Sequence, residues 1–260
     1  MAITKGLETT FNTVCSEYDK WRPTYVRELY DDIFTTKEIN KLSNVLEIGI
    51  GTGQATLPIL EKGCSLTAIE LGDRLAEYSK QKFSDYEKFI VKNIAFQDFE
   101  CQSGSYDLIY SATAFHWIPE DIGYTKVFEM LKSGGVFARF ANNPYRDKEK
   151  EDLHDAMQKV YSKYMPGSSI GKEYNEEDAQ YRADISKVYG FVDTGYKLYR
   201  RTRTFTAEEY ISLLGTYSDH IAIEDQKRLK FFYEIQRIIE DFGNKITLYD
   251  TIDLQLARKP

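Results

Sequence analysis

The chain is poor in the residues that build disulfide and metal sites, with three cysteines and three histidines among 260 residues. Cys15, Cys64 and Cys101 are odd in number and share no metal-like spacing, so they imply reduced thiols in a cytoplasmic protein. No two histidines sit at ligand spacing, and no metal is expected. The N-terminus, "MAITKGLETTFN", lacks the apolar core of a signal peptide. No run approaches the roughly 18 apolar residues of a membrane span, so no membrane partner is expected. Excess positive charge is also missing. Lys and Arg number 34 against 41 Asp and Glu, a net charge of −7, which argues against a nucleic-acid partner. The densest basic stretch, "KLYRRTRTF" at 197–205, reads as an edge strand with its charged positions turned outward. Internal repeats and low-complexity linkers are absent.

What remains is the composition of a folded globular chain, 42% hydrophobic and 29% charged. Its length fits one large α/β domain or a domain with a cap. From residue 44 to about 140, short apolar strands alternate with helical stretches, the pattern of a parallel sheet. "NVLEI" (44–48), "SLTAIE" (65–70), "EKFIVKN" (87–93), "YDLIYSA" (106–112) and "GVFARFA" (135–141) are the predicted strands. The intervening helices are predicted over Gln54–Lys62, closed by Gly63, over the stretch capped by Asp73, and over "PEDIGYTKVFEML". Beyond Asn142 the alternation stops. Two helical stretches, 147–165 and 176–191, flank "PGSSIGKEYN" and stand outside the sheet. "YKLYRRTRTF" gives a sixth strand, and Thr206 followed by acids starts another helix. A longer helix then places Leu229, Phe232, Ile235, Ile239 and Phe242 on one face. In "ITLYDTIDLQLA", Ile246, Leu248, Ile252, Leu254 and Leu256 alternate on one face of a last strand, with Asp250 the exception. The expected fold is a doubly wound, seven-stranded, mostly parallel sheet with helical cap insertions. Residues 1–140 form a cofactor-binding core and 141–260 a cap or substrate region that also supplies the last two strands.

The functional signal starts at "NVLEIGIGTGQAT" (44–56). Gly49, Gly51 and Gly53 follow G-x-G-x-G, whereas the dinucleotide fingerprint G-x-G-x-x-G needs glycine where Gln54 stands. Glu47 ends the first strand beside this turn, where a carboxylate disfavours pyrophosphate and suits an ammonium group or bound water. Glu70 ends the second strand, where a ribose-binding acid belongs. The guest should carry a ribose, no phosphate and a positive charge. Each feature has a bland counterpart. The glycines serve equally as a tight strand-to-helix connection, and Glu70 as a solvated strand end. Tyr18, Trp21 and Tyr25 serve as packing for an N-terminal helix, and His116 as a ring stacked on Trp117.

Taken together, "VLEIGIGTGQAT", Glu70, "YDLIYSATAFHWI" and "LKSGGVFA" resemble the successive motifs of class I S-adenosylmethionine-dependent methyltransferases, over roughly residues 10–140. "FNTVCSEYDKWRPTY" and "AFHW" are most similar to the small-molecule, trans-aconitate methyltransferase-like branch. The resemblance implies S-adenosylmethionine as cofactor, held by the loop Gly49, Gly51, Thr52, Gly53 and Gln54. Glu47 would act on its amino group and Glu70 on its ribose hydroxyls. Leu71, Ala95, Phe96 and Gln97 would border the adenine, although many relatives have an Asp at the start of that loop and this chain has "NIAFQDF". Ser111 and Ala112 would face the methionine tail. Tyr18 is the candidate methyl-facing ring, Arg22 the partner for a carboxylate, and His116 the base for an acceptor that needs one, with Trp117 beside the substrate. O- or carboxyl-methylation of a small molecule by a monomer or homodimer is expected. A cofactor-binding protein without turnover is the alternative, and a nicotinamide-dependent dehydrogenase is disfavoured by Glu47 and by the missing third glycine.

Overall fold

The structure, a computed structural model, describes residues 12–167 and 171–260. Phe11 of the N-terminal motif and residues 168–170 of the segment after Met165 lie outside it. Seven strands form one sheet: β1 (Asn44–Ile48), β2 (Ser65–Glu70), β3 (Phe89–Asn93), β4 (Tyr106–Ala112), β5 (Leu131–Tyr145), β6 (Val192–Phe205) and β7 (Ile246–Arg258). Their order is β3-β2-β1-β4-β5-β7-β6; β1 to β5 run parallel, and β7 is antiparallel to both β5 and β6. The reversal between β1 leading to β2 and β1 lying beside β4 opens a crevice at the carboxyl ends of these strands.

The helices are α1 (Cys15–Trp21), α2 (Arg27–Thr36), α3 (Leu57–Leu60), α4 (Asp73–Lys82), α5 (Glu120–Met130), α6 (Glu151–Tyr164), α7 (Glu176–Val188), α8 (Ala207–Leu214), α9 (Ser218–Ile221) and α10 (Asp225–Asp241). Neighbouring residues of each central strand divide between the two faces of the sheet. Val45, Leu108 and Val136 join one buried cluster with Leu29 and Ile33 of α2. Leu46, Ile109 and Phe137 join the other with Tyr124 and Val127 of α5. Burial on both faces is why these strands read as apolar runs. A third cluster, with Leu153, Leu213, Phe231, Ile235 and Ile239, binds α6, α8 and α10 together over the sheet's second half.

Several local expectations change. The helix expected over Gln54–Lys62 shrinks to the single turn of α3, with Pro58 in its first positions. The preceding residues are spent on the glycine turn, and the Thr56 hydroxyl donates to Glu47 Oε2 at 2.8 Å. Asp73 is the first residue of α4 and not its cap. The capping is tertiary: Asn12 Oδ1 accepts from the amides of Arg74 at 2.8 Å and Leu75 at 3.1 Å. Thr206 does cap α8, in a reciprocal box with Glu209. On α10 the buried face is Phe231, Ile235 and Ile239, while Leu229 is 64% and Phe242 40% exposed, so the predicted stripe was rotated from the true one. On β6, the edge strand, Lys197 and Arg200 are exposed as expected, whereas Arg201 and Arg203 turn inward and Thr202 and Thr204 outward, contrary to the expectation of outward charge. Asp250, the exception in the β7 pattern, is fully buried and receives both arginines.

Candidate active site

A cavity of about 780 Å³ lies over the carboxyl ends of β1, β2 and β4 and reaches to β5, β6, α1 and the segment after α1. That volume is in the range of a small-molecule site. Its floor is the turn after β1. Gly49 N donates to Ile69 O at 2.9 Å, and Gly51 N to Glu70 Oε2 at 2.8 Å. The three glycines have positive φ but different surroundings. A Cβ on Gly53 would lie 2.3 Å from the Phe83 ring, so that glycine makes room for the protein itself. A Cβ on Gly51 would meet only the Tyr18 ring, at 3.8 Å, and would project into the cavity. Gly51 is therefore where backbone approaches ligand space.

Two buried carboxylates stand at this end. Glu70 is held by backbone, Oε1 accepting from Gly72 N at 2.9 Å and Oε2 from Gly51 N. Burial raises its pKa, against those amides, which lower it. Glu47 Oε2 accepts from Tyr110 Oη at 2.7 Å and from Thr56 Oγ1. Burial pushes Glu47 up to about 8; the two hydroxyl donors oppose this and the nearby Glu70 adds to it. An acid in that state is poised to ionise when a cation arrives beside it.

The N-terminal segment closes one wall. Asp19 of α1 accepts from Gln54 Nε2 at 3.2 Å and Tyr78 Oη at 2.9 Å, which ties the helix to the glycine loop and to α4. Tyr25 Oη pairs with Thr113 Oγ1 at 2.6 Å. Thr113, just after β4, has φ of 53°, a strained conformation for a β-branched residue and one that neither its type nor its neighbours announce. Arg22 donates to the hydroxyl and carbonyl of Thr216 at 2.9 and 2.7 Å and lies 4.0 Å over the Tyr217 ring.

Against known proteins, residues 45–135 match a methyltransferase domain family. A malonyl-[acyl-carrier protein] O-methyltransferase from Paenibacillus sp. (strain JDR-2) is 29% identical over 216 residues, covering 77% of this chain and 75% of that protein. An uncharacterized methyltransferase from Schizosaccharomyces pombe is 21% identical over 232 residues, 89% and 87% of the two chains. In fold, the chain is similar to phosphoethanolamine N-methyltransferase 2 of Haemonchus contortus, solved with phosphomonomethylethanolamine and S-adenosylhomocysteine. The TM-score is 0.56 at 12% identity, covering 96% of this chain and 57% of that one. This chain is a class I S-adenosylmethionine-dependent methyltransferase. Its cofactor is S-adenosylmethionine, and the cavity fits it, with a fixed acid at the second strand tip and a glycine floor.

The methyltransferase brings most of the sequence candidates to this one cavity. Glu47, Gly49, Gly51, Gln54, Glu70, Leu71, Ala95, Phe96, Gln97 and Ala112 border it, as do Tyr18, Arg22, His116 and Trp117. Thr52, Gly53 and Ser111 do not. Thr52 is fully buried with its hydroxyl paired to the Gln54 side chain, and Gly53 packs on Phe83. Ser111 is fully buried and donates to Ile48 O at 2.9 Å, fastening β4 to β1, because the even alternation of β4 sends its side chain under the floor. Asp98, Thr113, Asn142, Arg203 and Tyr217 border the cavity without having been singled out. Asp98 sits in "NIAFQDF", four residues past the expected place for an acid and visible there; the others depend on long-range packing.

His116 lies 4.8 Å from Trp117, ring centre to ring centre. Crowding by protein, then the positive charges of Arg139 and Arg182, push its pKa below the ordinary histidine value, although the side chain remains exposed at the cavity mouth. The imidazole is thus neutral at pH 7 and a poor proton acceptor.

Proposed function

We propose that this methyltransferase methylates an oxygen of a small molecule, preferably one already anionic. The observation that carries this reading is a single cavity with acids at one end and arginines and tyrosines at the other, roofed by the N-terminal helix and the loop after α8. A poor base at His116 suits an acceptor that needs no deprotonation. The O-methyltransferase relative, named for malonyl on a carrier protein, supports an acidic acceptor, as does the small-molecule, trans-aconitate methyltransferase-like resemblance.

When bound, S-adenosylmethionine supplies a methyl group already activated by positive sulfur, so the protein has chiefly to position the acceptor and exclude water. In this reading Glu70 receives the ribose hydroxyls on lone pairs left by its backbone partners. Glu47 faces the amino group from below, and Leu71, Ala95, Phe96 and Gln97 enclose the base. Tyr18 offers a ring face to positive charge, worth about 0.5–2 kcal/mol for such contacts. Tyr25 and Trp117 shield the acceptor side. Three free cysteines, with Cys64 buried, support a reducing, cytoplasmic setting. The test is turnover against a panel of small acids, alcohols and amines, with RNA, a peptide mixture and a malonyl-carrier thioester as separate arms. Methylation of small acids is the expected result. Product only from RNA or protein would overturn the acceptor class, and cofactor binding with no turnover on any arm would favour the non-catalytic alternative.

A further inference from the structure

The acceptor end of the cavity holds positive charge that the protein matches only in part. Arg201 and Arg203 of β6 both reach Asp250 of β7. Arg203 forks onto it, Nε to Oδ2 at 2.6 Å and Nη2 to Oδ1 at 3.0 Å. Arg201 adds Nε and Nη2 to Oδ2 at 3.3 and 3.1 Å. One fully buried carboxylate therefore answers two guanidiniums. Arg201 is engaged at each of its three nitrogens, because Nη1 reaches Thr24 O at 2.7 Å and Nη2 also reaches Asn142 Oδ1 at 2.8 Å. Arg203 is not. Its Nη1 has no hydrogen-bond partner among the described residues, its side chain is 14% exposed, and it borders the methyl-transfer cavity.

A guanidinium taken out of water without a full counter-charge is costly, and an anion placed against it removes that cost. Asp250 also locks the plane of Arg203, so the exposed edge is a directed donor with little rotamer freedom left to lose. We propose that Arg203 is the specificity residue for the acceptor and receives its carboxylate, making the substrate a small carboxylic acid. Asp250 takes two of the five guanidinium donors of Arg203, and the one positive charge left over among Arg201, Arg203 and Asp250 is matched by a single carboxylate. The proposal rests on the methyltransferase reading of the cavity and adds to it the chemical class of the acceptor and the group that selects it.

The test uses the full chain saturated with S-adenosylhomocysteine, titrated calorimetrically with 3-hydroxybutyrate, glutarate, benzoate and phenylacetate, with the primary amide of each, and with phenyl phosphate. The expected result is that at least one acid binds tenfold or more tightly than its amide. Arg203→Gln then abolishes that preference while the S-adenosylhomocysteine affinity stays within twofold. The proposal is overturned by amides binding as well as acids, by phenyl phosphate outbinding every acid, by no acid binding, or by a preference that survives in Arg203→Gln. The acid-to-amide ratio of the unmodified protein decides the matter even where the variant does not fold. Failure of S-adenosylhomocysteine itself to bind would strike the underlying reading instead.

Discussion

The two ends of the cavity are built by different means. At the cofactor end, most polar groups are fixed within their own or the neighbouring strand tip, Gly51 to Glu70, Glu70 to Gly72 and Glu47 to Thr56, with Tyr110 of β4 as the more distant second partner of Glu47. At the acceptor end, Arg22 is fixed by Thr216, 194 residues away, and Arg203 by Asp250, 47 residues away. The first end is a property of local motifs on a parallel sheet and the second a property of assembled tertiary structure. The two should therefore respond differently to substitution, the first losing cofactor and the second losing stability and acceptor choice.

The sharpest separation is expected from Gly51→Val. Its Cβ would enter ligand space at a φ of 58°, where a β-branched residue is strained by about 1–2 kcal/mol. Titration with S-adenosylhomocysteine should show binding lost while circular dichroism keeps the folded signal. Binding retained in a merely destabilised protein would return the glycines to the role of a connector. Gly53→Ala is the control, since its Cβ would strike Phe83 and the damage should appear in melting temperature.

Asp250→Ala tests the other end. Removing the carboxylate leaves two inward guanidiniums unpaired, and loss of one partner of a buried pair costs about 3–5 kcal/mol. Chemical denaturation should register that loss, whereas the cofactor affinity of the remaining folded protein should be unchanged. Equal losses at both ends would mean that the cavity is one cooperative unit and the comparison fails.

The same division explains what could be read in advance. Strands β1 to β5, the glycine turn and both acids lie within about a hundred consecutive residues whose period and punctuation are local, so they were legible before any coordinates. The doubly wound, mostly parallel sheet followed from the crossover pattern. What escaped notice has its cause elsewhere in the chain. Asn12 caps α4 from 62 residues away, so the nearer Asp73 looked like the cap. Period two in "YRRTRTF" specifies that alternate residues share a face, but only Asp250 across the ladder specifies which face is inside. On α10, two overlapping apolar stripes compete, and contact with α6 and α8 selects the one through Phe231. The misplaced Ser111 reflects the same gap, because a strand's end can be located from sequence while the side its last hydroxyl faces cannot.

A smaller effect is expected at Glu70. With both oxygens already accepting backbone amides, Glu70→Ala removes charged hydrogen bonds to a ribose and also loosens the turn at Gly51. The combined loss in S-adenosylhomocysteine affinity should be on the order of 1–3 kcal/mol. An unchanged dissociation constant would remove Glu70 from the ribose.

The gentlest probe needs no mutation. Glu47 has a pKa raised from the ordinary glutamate value to about 8, so between those limits the folded protein holds a proton that the unfolded chain has released. Stability of the free protein from this group is therefore greatest in acid and declines as pH rises through the window toward 8. Cofactor binding should run the other way. An ammonium group beside Glu47 favours the ionised carboxylate, so binding at neutral pH must expel the proton. Affinity for S-adenosylhomocysteine should consequently rise by about tenfold from pH 6 to pH 7, the linkage expected of one proton released per molecule bound. Calorimetry at pH 7 in two buffers of different ionisation heat should show that release directly. Affinity that is flat across this interval, with no buffer-dependent heat, would mean that Glu47 stays protonated under the cofactor and serves the floor only through Tyr110 and Thr56. The cofactor end would then owe its preference for a cation to Glu70 alone.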